Sequence, residues 1–165
     1  MKNIVKLINS IINGFIVTVF ISLVFLVFTQ VFFRYVVGDS LTWAEEVARF
    51  LFIWLIYIGG IITVRKGMNI TFDVFLESLP YKLWVPVFTV VNLISLGFLS
   101  LVIILGFDLA TVNMTQLSSA IMFPMGIVYL AIPIGAIGMF ISQIQWYVET
   151  KEKRRGQQKC LNLHF

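Results

Sequence analysis

Charged residues vanish from long stretches of this chain. None lies between Lys6 and Arg34, between Arg49 and Arg65, between Lys82 and Asp108, or between Asp108 and Glu149. A helix needs about 20 predominantly apolar residues to cross roughly 30 Å of hydrocarbon. The pattern therefore predicts four membrane-spanning helices, at about 11–33, 47–64, 83–107 and 120–147. The first run is longer than the apolar core of a signal peptide, about 7 to 15 residues, and no Ala-x-Ala site follows it, which predicts an uncleaved anchor. Residues 108–119 are a short polar connection, too small to be a domain.

The segments between the spans carry their own signals. Thr42 and Glu45 have the spacing of a capping box, in which hydroxyl and carboxylate each bond a free backbone N–H at a helix start, so the second helix is expected to begin near Thr42. Glu45 then lies one turn before Arg49 in the favourable order for an ion pair, and Glu46 lies three residues before it. Trp43, Val47, Phe50 or Leu51, and Trp54 fall on the other face. After Arg65-Lys66-Gly67, Phe72, Phe75, Leu76 and Leu79 recur at helical spacing until Pro80. This predicts a short amphipathic helix, lying in the interface or packed on the protein's own helices. In the fourth span, Ala131, Gly135, Gly138 and Ser142 form two small-x-x-x-small pairs suited to close helix packing, and Pro133 is expected to kink the helix.

Composition sharpens this into a class: an all-α integral membrane protein with one four-helix domain over residues 1–150 and a basic tail, expected to be disordered, over 151–165. Only 12% of residues are charged, against about 25% in soluble domains, and the mean hydropathy is +0.97. Basic residues then set the direction. The ends and the second loop hold Lys2, Lys6, Arg65, Lys66, Lys82, Lys151, Lys153, Arg154, Arg155 and Lys159, against Arg34 and Arg49 on the other side. Ten against two places both termini in the cytoplasm. The net charge of +4 thus reflects orientation; the cations flank spans and form no basic face for nucleic acid.

Chemistry is narrowed as strongly. One histidine, His164, and one cysteine, Cys160, leave no paired ligands for a haem and no dithiol, and both sit in the last six residues. No nucleophile set, metal-ligand cluster or phosphate loop is present, so no cofactor, metal or catalytic residue is expected and the chain does not read as an enzyme. The middle of every span is free of charge, where a pump or proton-coupled exporter carries its ionisable groups. The densest polar cluster is Gln30, Arg34, Asp39, Ser40, Thr42, Glu45, Glu46 and Arg49, threaded with Trp43 and Trp54. Two readings of it stand: an interfacial belt in which Arg34 snorkels to the headgroups, or a locked hairpin in which Arg34 meets Glu45 or Glu46 and offers a polar edge to a partner. From the residues alone, the function is a part of a larger membrane complex or, alternatively, a self-contained homo-oligomeric exporter or channel.

The motifs Gln30-Val31-x-x-Arg34-Tyr35, Ser40-Leu41-x-Trp43-x-Glu45-Glu46-x-x-Arg49, Phe52-x-Trp54 with Gly59, and Arg65-x-x-x-Asn69-x-x-x-Asp73 resemble the small, DctQ-type membrane subunit of tripartite ATP-independent periplasmic (TRAP) transporters. The family often has histidine where this chain has Asn69. The resemblance covers most of the chain and implies a bacterial inner-membrane protein. It implies a large DctM-type partner that carries the sodium and substrate sites, and a periplasmic solute-binding protein that delivers an organic acid, with sialic acid the branch chosen on overall similarity. In such a system the small subunit is a scaffold set among membrane lipids. Arg34, Trp43, Glu45, Glu46, Arg49, Trp54 and Asp73 are then the candidate interface and structural residues.

Overall fold

The computed structural model describes residues 2–65 and 81–161. These residues form α1 (Lys2–Phe32), extended by a π-helical turn (Phe33–Val37), then α2 (Thr42–Arg65), α3 (Tyr81–Val112), a short α4 (Met125–Tyr129) and α5 (Ala131–Leu161). Four segments are long and apolar enough to cross a membrane: Ser10–Val37, Thr42–Arg65, Leu83–Thr115 and Met125–Arg155. The all-helical, four-span architecture is as the charge-free runs predict. The amphipathic helix expected before Pro80, and Asp73 with it, lie outside the described residues.

The helix ends depart from the apolar runs for local reasons. Once nucleated, a helix adds residues cheaply, so α3 continues past residue 107 to Val112 and α5 runs as helix through the expected tail as far as Leu161. α2 does start at Thr42, yet without the capping box. The N–H groups of Ala44 and Glu45 bond the Leu41 carbonyl at 3.1 and 3.4 Å, and the Glu45 carboxylate turns to Arg49 instead. The fourth span begins at Met125, not near Ala120, because the preceding residues form a turn. It then breaks at Leu130. Pro133 causes that break: it has no N–H to give the Tyr129 carbonyl four residues earlier, and its ring crowds the same group.

Among the described residues the long helices pack mainly in a row, α1–α2–α5–α3. The fourth span is the hub, with 39% of its apolar window buried against 6–11% for the other three. Small residues make this possible. A methyl group added at Gly135 would sit 2.6 Å from Tyr57 Cβ and 2.8 Å from the Tyr57 carbonyl oxygen, and one at Gly138 would overlap the Ile61 side chain. Ala131 and Ser142, the other members of the two small pairs, are fully buried. Gly60 faces the Met139 sulfur, whereas Gly59 has nothing within 4 Å of a hypothetical Cβ, so only one of this glycine pair serves packing. On the two outermost helices of the row, Phe25 and Phe28 of α1 are 70% exposed and Ile94 of α3 is 67% exposed.

α3 and α5 are joined by a buried polar bond as well as by packing. The Gln143 side-chain amide donates to Asn92 Oδ1 at 2.7 Å, and Asn92 Nδ2 donates to the Phe88 carbonyl at 2.8 Å. Interhelical bonds of this kind contribute about 0.6 kcal/mol, up to about 1.7, in membrane proteins. Replacing Gln143 by leucine should therefore cost roughly 1 kcal/mol, since it also strands an oxygen of Asn92. The double replacement Asn92→Leu with Gln143→Leu should recover most of that loss. Unfolding titrations in mixed micelles measure both, and strictly additive losses would remove the bond from the account.

Candidate interaction surface at the loop end

At one end of the long helices the chain makes two of its described connections, 38–41 between α1 and α2, and 113–124 between α3 and α4. Gly38 adopts the left-handed conformation, φ 78°, which glycine takes without a Cβ penalty. Its N–H bonds the Phe33 carbonyl at 3.0 Å and closes the π turn that carries Arg34. Arg34 and Tyr35 on this turn are exposed.

The 113–124 connection folds on itself. The Ser118 N–H bonds the Phe123 carbonyl at 2.9 Å, the Met122 N–H bonds the Ser118 carbonyl at 3.2 Å, and the Met125 N–H bonds the Gln116 carbonyl at 2.9 Å. Met122 stands at φ 57°, an uncommon position for a residue with a side chain. This turn leaves the N–H groups of Ser119, Ala120 and Ile121 free of backbone partners, and consecutive N–H groups of this kind form a concavity that suits an anion. Glu46 supplies it. Its Oε1 accepts from the Ser119 and Ala120 N–H groups at 3.0 and 3.1 Å; its Oε2 accepts from the Ser118 hydroxyl at 2.7 Å and from the Ala120 and Ile121 N–H groups at 3.2 Å. A carboxylate is acceptor-only, so every contact made here uses the chemistry it has. The concavity is thereby filled from within the chain and is not an open anion site.

Holding the turn has a second effect, on packing. Ile121 and Phe123 are laid over α2, where they join Val47, Phe50, Leu51, Trp54, Ile127 and Val128 around an apolar cavity of about 320 Å³. The Phe50 and Phe123 rings lie 6.4 Å apart across it. No charged group lines it, so it can hold an apolar group and do no acid–base chemistry. Among the described residues no group of three His, Cys, Asp or Glu side chains is placed to hold a metal.

The sequence candidates thus fall into separate places. Glu45 pairs with Arg49 at 3.4 Å, as the spacing predicts, with both side chains more than half exposed. The pairing of Arg34 with Glu45 or Glu46 is not formed: the Glu46 oxygens are taken by the turn, and Glu45 is drawn along its own helix to Arg49. Trp43 is 48% exposed beside this pair, while Trp54 is turned into the cavity. Ser118 and the backbone of 119–121 are what the sequence reading missed. The available signal was a run of small residues, Ser118-Ser119-Ala120, at the same end of the spans as Glu46.

Against this geometry the comparisons with known proteins agree with one another. Residues 23–151 match the family model described as tripartite ATP-independent periplasmic transporters, DctQ component. The isethionate TRAP transporter permease protein DctMQ of Oleidesulfovibrio alaskensis is 27% identical over 128 residues, 73% of this chain but only 20% of that protein. The sialic acid TRAP transporter small permease protein SiaQ of Vibrio cholerae is 23% identical over 145 residues, covering 88% of this chain and 84% of the relative. The C4-dicarboxylate TRAP transporter small permease protein DctQ of Rhodobacter capsulatus is 32% identical over 105 residues, 60% of this chain and 44% of the relative. The chain thus spans a fifth of the first of these and less than half of the third. All three are transporter permeases and none is an enzyme. With the family model matched over most of its length, the chain belongs to the DctQ-component family of tripartite ATP-independent periplasmic transporters.

Proposed function

We propose that the chain is the small membrane subunit of a TRAP transporter and acts as a fixed plate against which a large, sodium-coupled DctM-type subunit is held. The observation that carries this reading is the row in which the long helices pack among the described residues. A row leaves two broad apolar faces open, where a closed bundle would bury one side of every helix, and the large side chains on α1 and α3 stay uncovered. Lipid on one face and a partner on the other account for both. Charge-free span centres suit a part that stays still while another subunit moves the substrate. The substrate is an organic acid delivered by a periplasmic binding protein. The relatives named for isethionate, sialic acid and C4-dicarboxylates share that class, and sialic acid is the choice where one is made, because the SiaQ alignment covers most of both chains. The termini and the basic end of α5 face the cytoplasm of a bacterial inner membrane, on the count of flanking cations.

In this arrangement Arg34, Trp43, Glu45 and Arg49 form the open polar edge at the loop end, and Glu46 with Trp54 shapes it from behind. Exposed helical ion pairs contribute about 0.3–0.5 kcal/mol. Reversing one charge, Arg49→Glu or Glu45→Lys, should therefore leave the isolated chain folded with little change in stability. The same changes should lower recovery of the two-subunit complex and substrate uptake together. Co-purification yield and uptake in whole cells measure this, and full assembly with either charge reversed would remove this edge from the interface.

A further inference from the structure

We propose that the apolar cavity beneath the 118–123 turn is a binding site for one acyl chain of a membrane lipid. The choice of lipid as the occupant rests in part on the subunit reading given above, which assigns the other side of α2 to the large subunit. The site itself rests on local geometry.

The cavity is built to stay open. One wall of its roughly 320 Å³ comes from α2, between Val47 and Trp54, and the other from the 121–128 segment. The second wall is fixed from outside the space. The Ser118 hydroxyl and the Ser119, Ala120 and Ile121 N–H groups are all bonded to Glu46, so Ile121 and Phe123 cannot simply settle onto α2. A void that stays empty forfeits the contacts of its wall atoms. Water does not restore them, because a buried water needs about two to four polar partners and the lining presents no polar surface. Hydrocarbon does. At about 30 Å³ for a group the size of a water molecule or a methylene, the space takes roughly ten groups of an unbranched chain.

Depth and direction select a lipid over other apolar occupants. Val47 and Trp54 lie five and twelve residues beyond Thr42, the start of α2, which is roughly 8 and 18 Å along the helix at about 1.5 Å per residue. The whole of α2, 24 residues, is about 36 Å long against a hydrocarbon core of roughly 30 Å. The cavity therefore stands in the half of the core nearest the loop end, at the level of acyl chains and below that of headgroups. It is not sealed: Ile121, Phe123 and Ile127 are each more than a third exposed, so a chain from the surrounding bilayer can enter beside them. At about 100° per residue, Val47, Leu51 and Trp54 fall on one face of α2, and Glu45 and Arg49 fall on the opposite one. The charged edge proposed to meet the large subunit and the cavity thus look in different directions, which leaves the cavity to lipid. Its lining carries no charged side chain, so the site takes a chain and does not choose between headgroups.

The test uses the full chain in a sterol-based detergent, which has no alkyl tail to enter the cavity, with a phosphatidylcholine that carries a photoreactive diazirine at the middle of one oleoyl chain. Peptide mass spectrometry after irradiation locates the label. In the unaltered chain, labelling should saturate at a single lipid per chain and concentrate in residues 47–54 and 121–128. Labelling that does not saturate and spreads equally over α1 and α3 marks surface lipid only, and overturns the site without requiring any variant to fold. Val47→Phe and Ile127→Phe fill the cavity from either wall, and each should lower the saturable labelling by at least about fourfold, the equivalent of one buried methylene group. Ile94→Phe adds bulk at an exposed position of α3 and should leave it unchanged. Undiminished labelling in both filling variants overturns the proposal. Repeated on material that co-purifies with a large subunit, the labelling should persist; its loss there would assign the cavity to a side chain of that subunit and also overturn the proposal. Failure to recover any large subunit contradicts the subunit reading instead, and labelling of the chain alone then decides the site.

Discussion

Glu46→Gln is expected to release the 118–121 turn from α2. Glutamine keeps the size of the side chain but offers one acceptor oxygen in place of two, and it points an NH₂ group at backbone N–H donors that have no other partner. In the native chain those donors are shared between both oxygens of Glu46, and the charge strengthens each bond. Met122 is held at φ 57° by the same turn, and once the carboxylate is gone only the backbone bonds within the connection oppose relaxation of that uncommon conformation. Hydrogen exchange at residues 119–121 should speed up by at least about tenfold, with α5 unaffected. Glu45→Gln is the matched control. It alters the neighbouring acid, whose partner is an exposed arginine, and should leave exchange in the turn unchanged. Unchanged protection in Glu46→Gln would mean that the Ile121 and Phe123 side chains hold the turn by packing alone. Loss of the turn also opens the cavity beneath it, because two of the cavity's walls are Ile121 and Phe123.

The second large effect lies at the centre of the row. Gly135→Ala adds a methyl group 2.8 Å from the Tyr57 carbonyl oxygen and 2.9 Å from its carbonyl carbon, and backbone atoms have no rotamer by which to withdraw. Overpacking of this type costs about 1–3 kcal/mol. The opposing gain, alanine's better helix propensity, is about 0.8–1 kcal/mol, so the clash decides the sign and α2 and α5 must move apart. Gly59→Ala and Gly97→Ala provide the contrast, since neither new methyl group meets anything within 4 Å. They should be neutral or slightly stabilising in the isolated chain. Thermal unfolding of the three variants in one detergent orders them, and a Gly135→Ala chain as stable as the other two would contradict the close α2–α5 seam.

What could be read from the sequence follows from what each signal encodes. Spans are encoded locally, in runs without charge, and Pro133 and the small residues at 131, 135, 138 and 142 act through their own helix or its nearest neighbour, so their effects were legible. The order of helices in the row was not. Hydropathy reports that a face avoids water and says nothing about whether lipid, another helix or a partner covers it, which is why a row and a bundle look alike in sequence. The role of Glu46 was hidden for a different reason. Glu45 and Glu46 are chemically identical neighbours, and the groups that distinguish them are mostly backbone N–H donors more than 70 residues away, which leave no side-chain signature. The expected link from Arg34 rested on charge alone, and the geometry of α2 gave both acids better partners.

The family assignment and the row of helices lead to one central claim, that this chain is a plate built to be covered by a larger subunit. Gentle-detergent purification of the tagged chain from its own cells, followed by native mass spectrometry, tests that claim most directly. A one-to-one complex with a much larger multispan protein is the predicted result, and its mass would identify the transporter whose substrate is then to be assayed. A stable homo-oligomer of this chain alone, with its open faces closed on copies of itself, would contradict the account and support a self-contained exporter or channel.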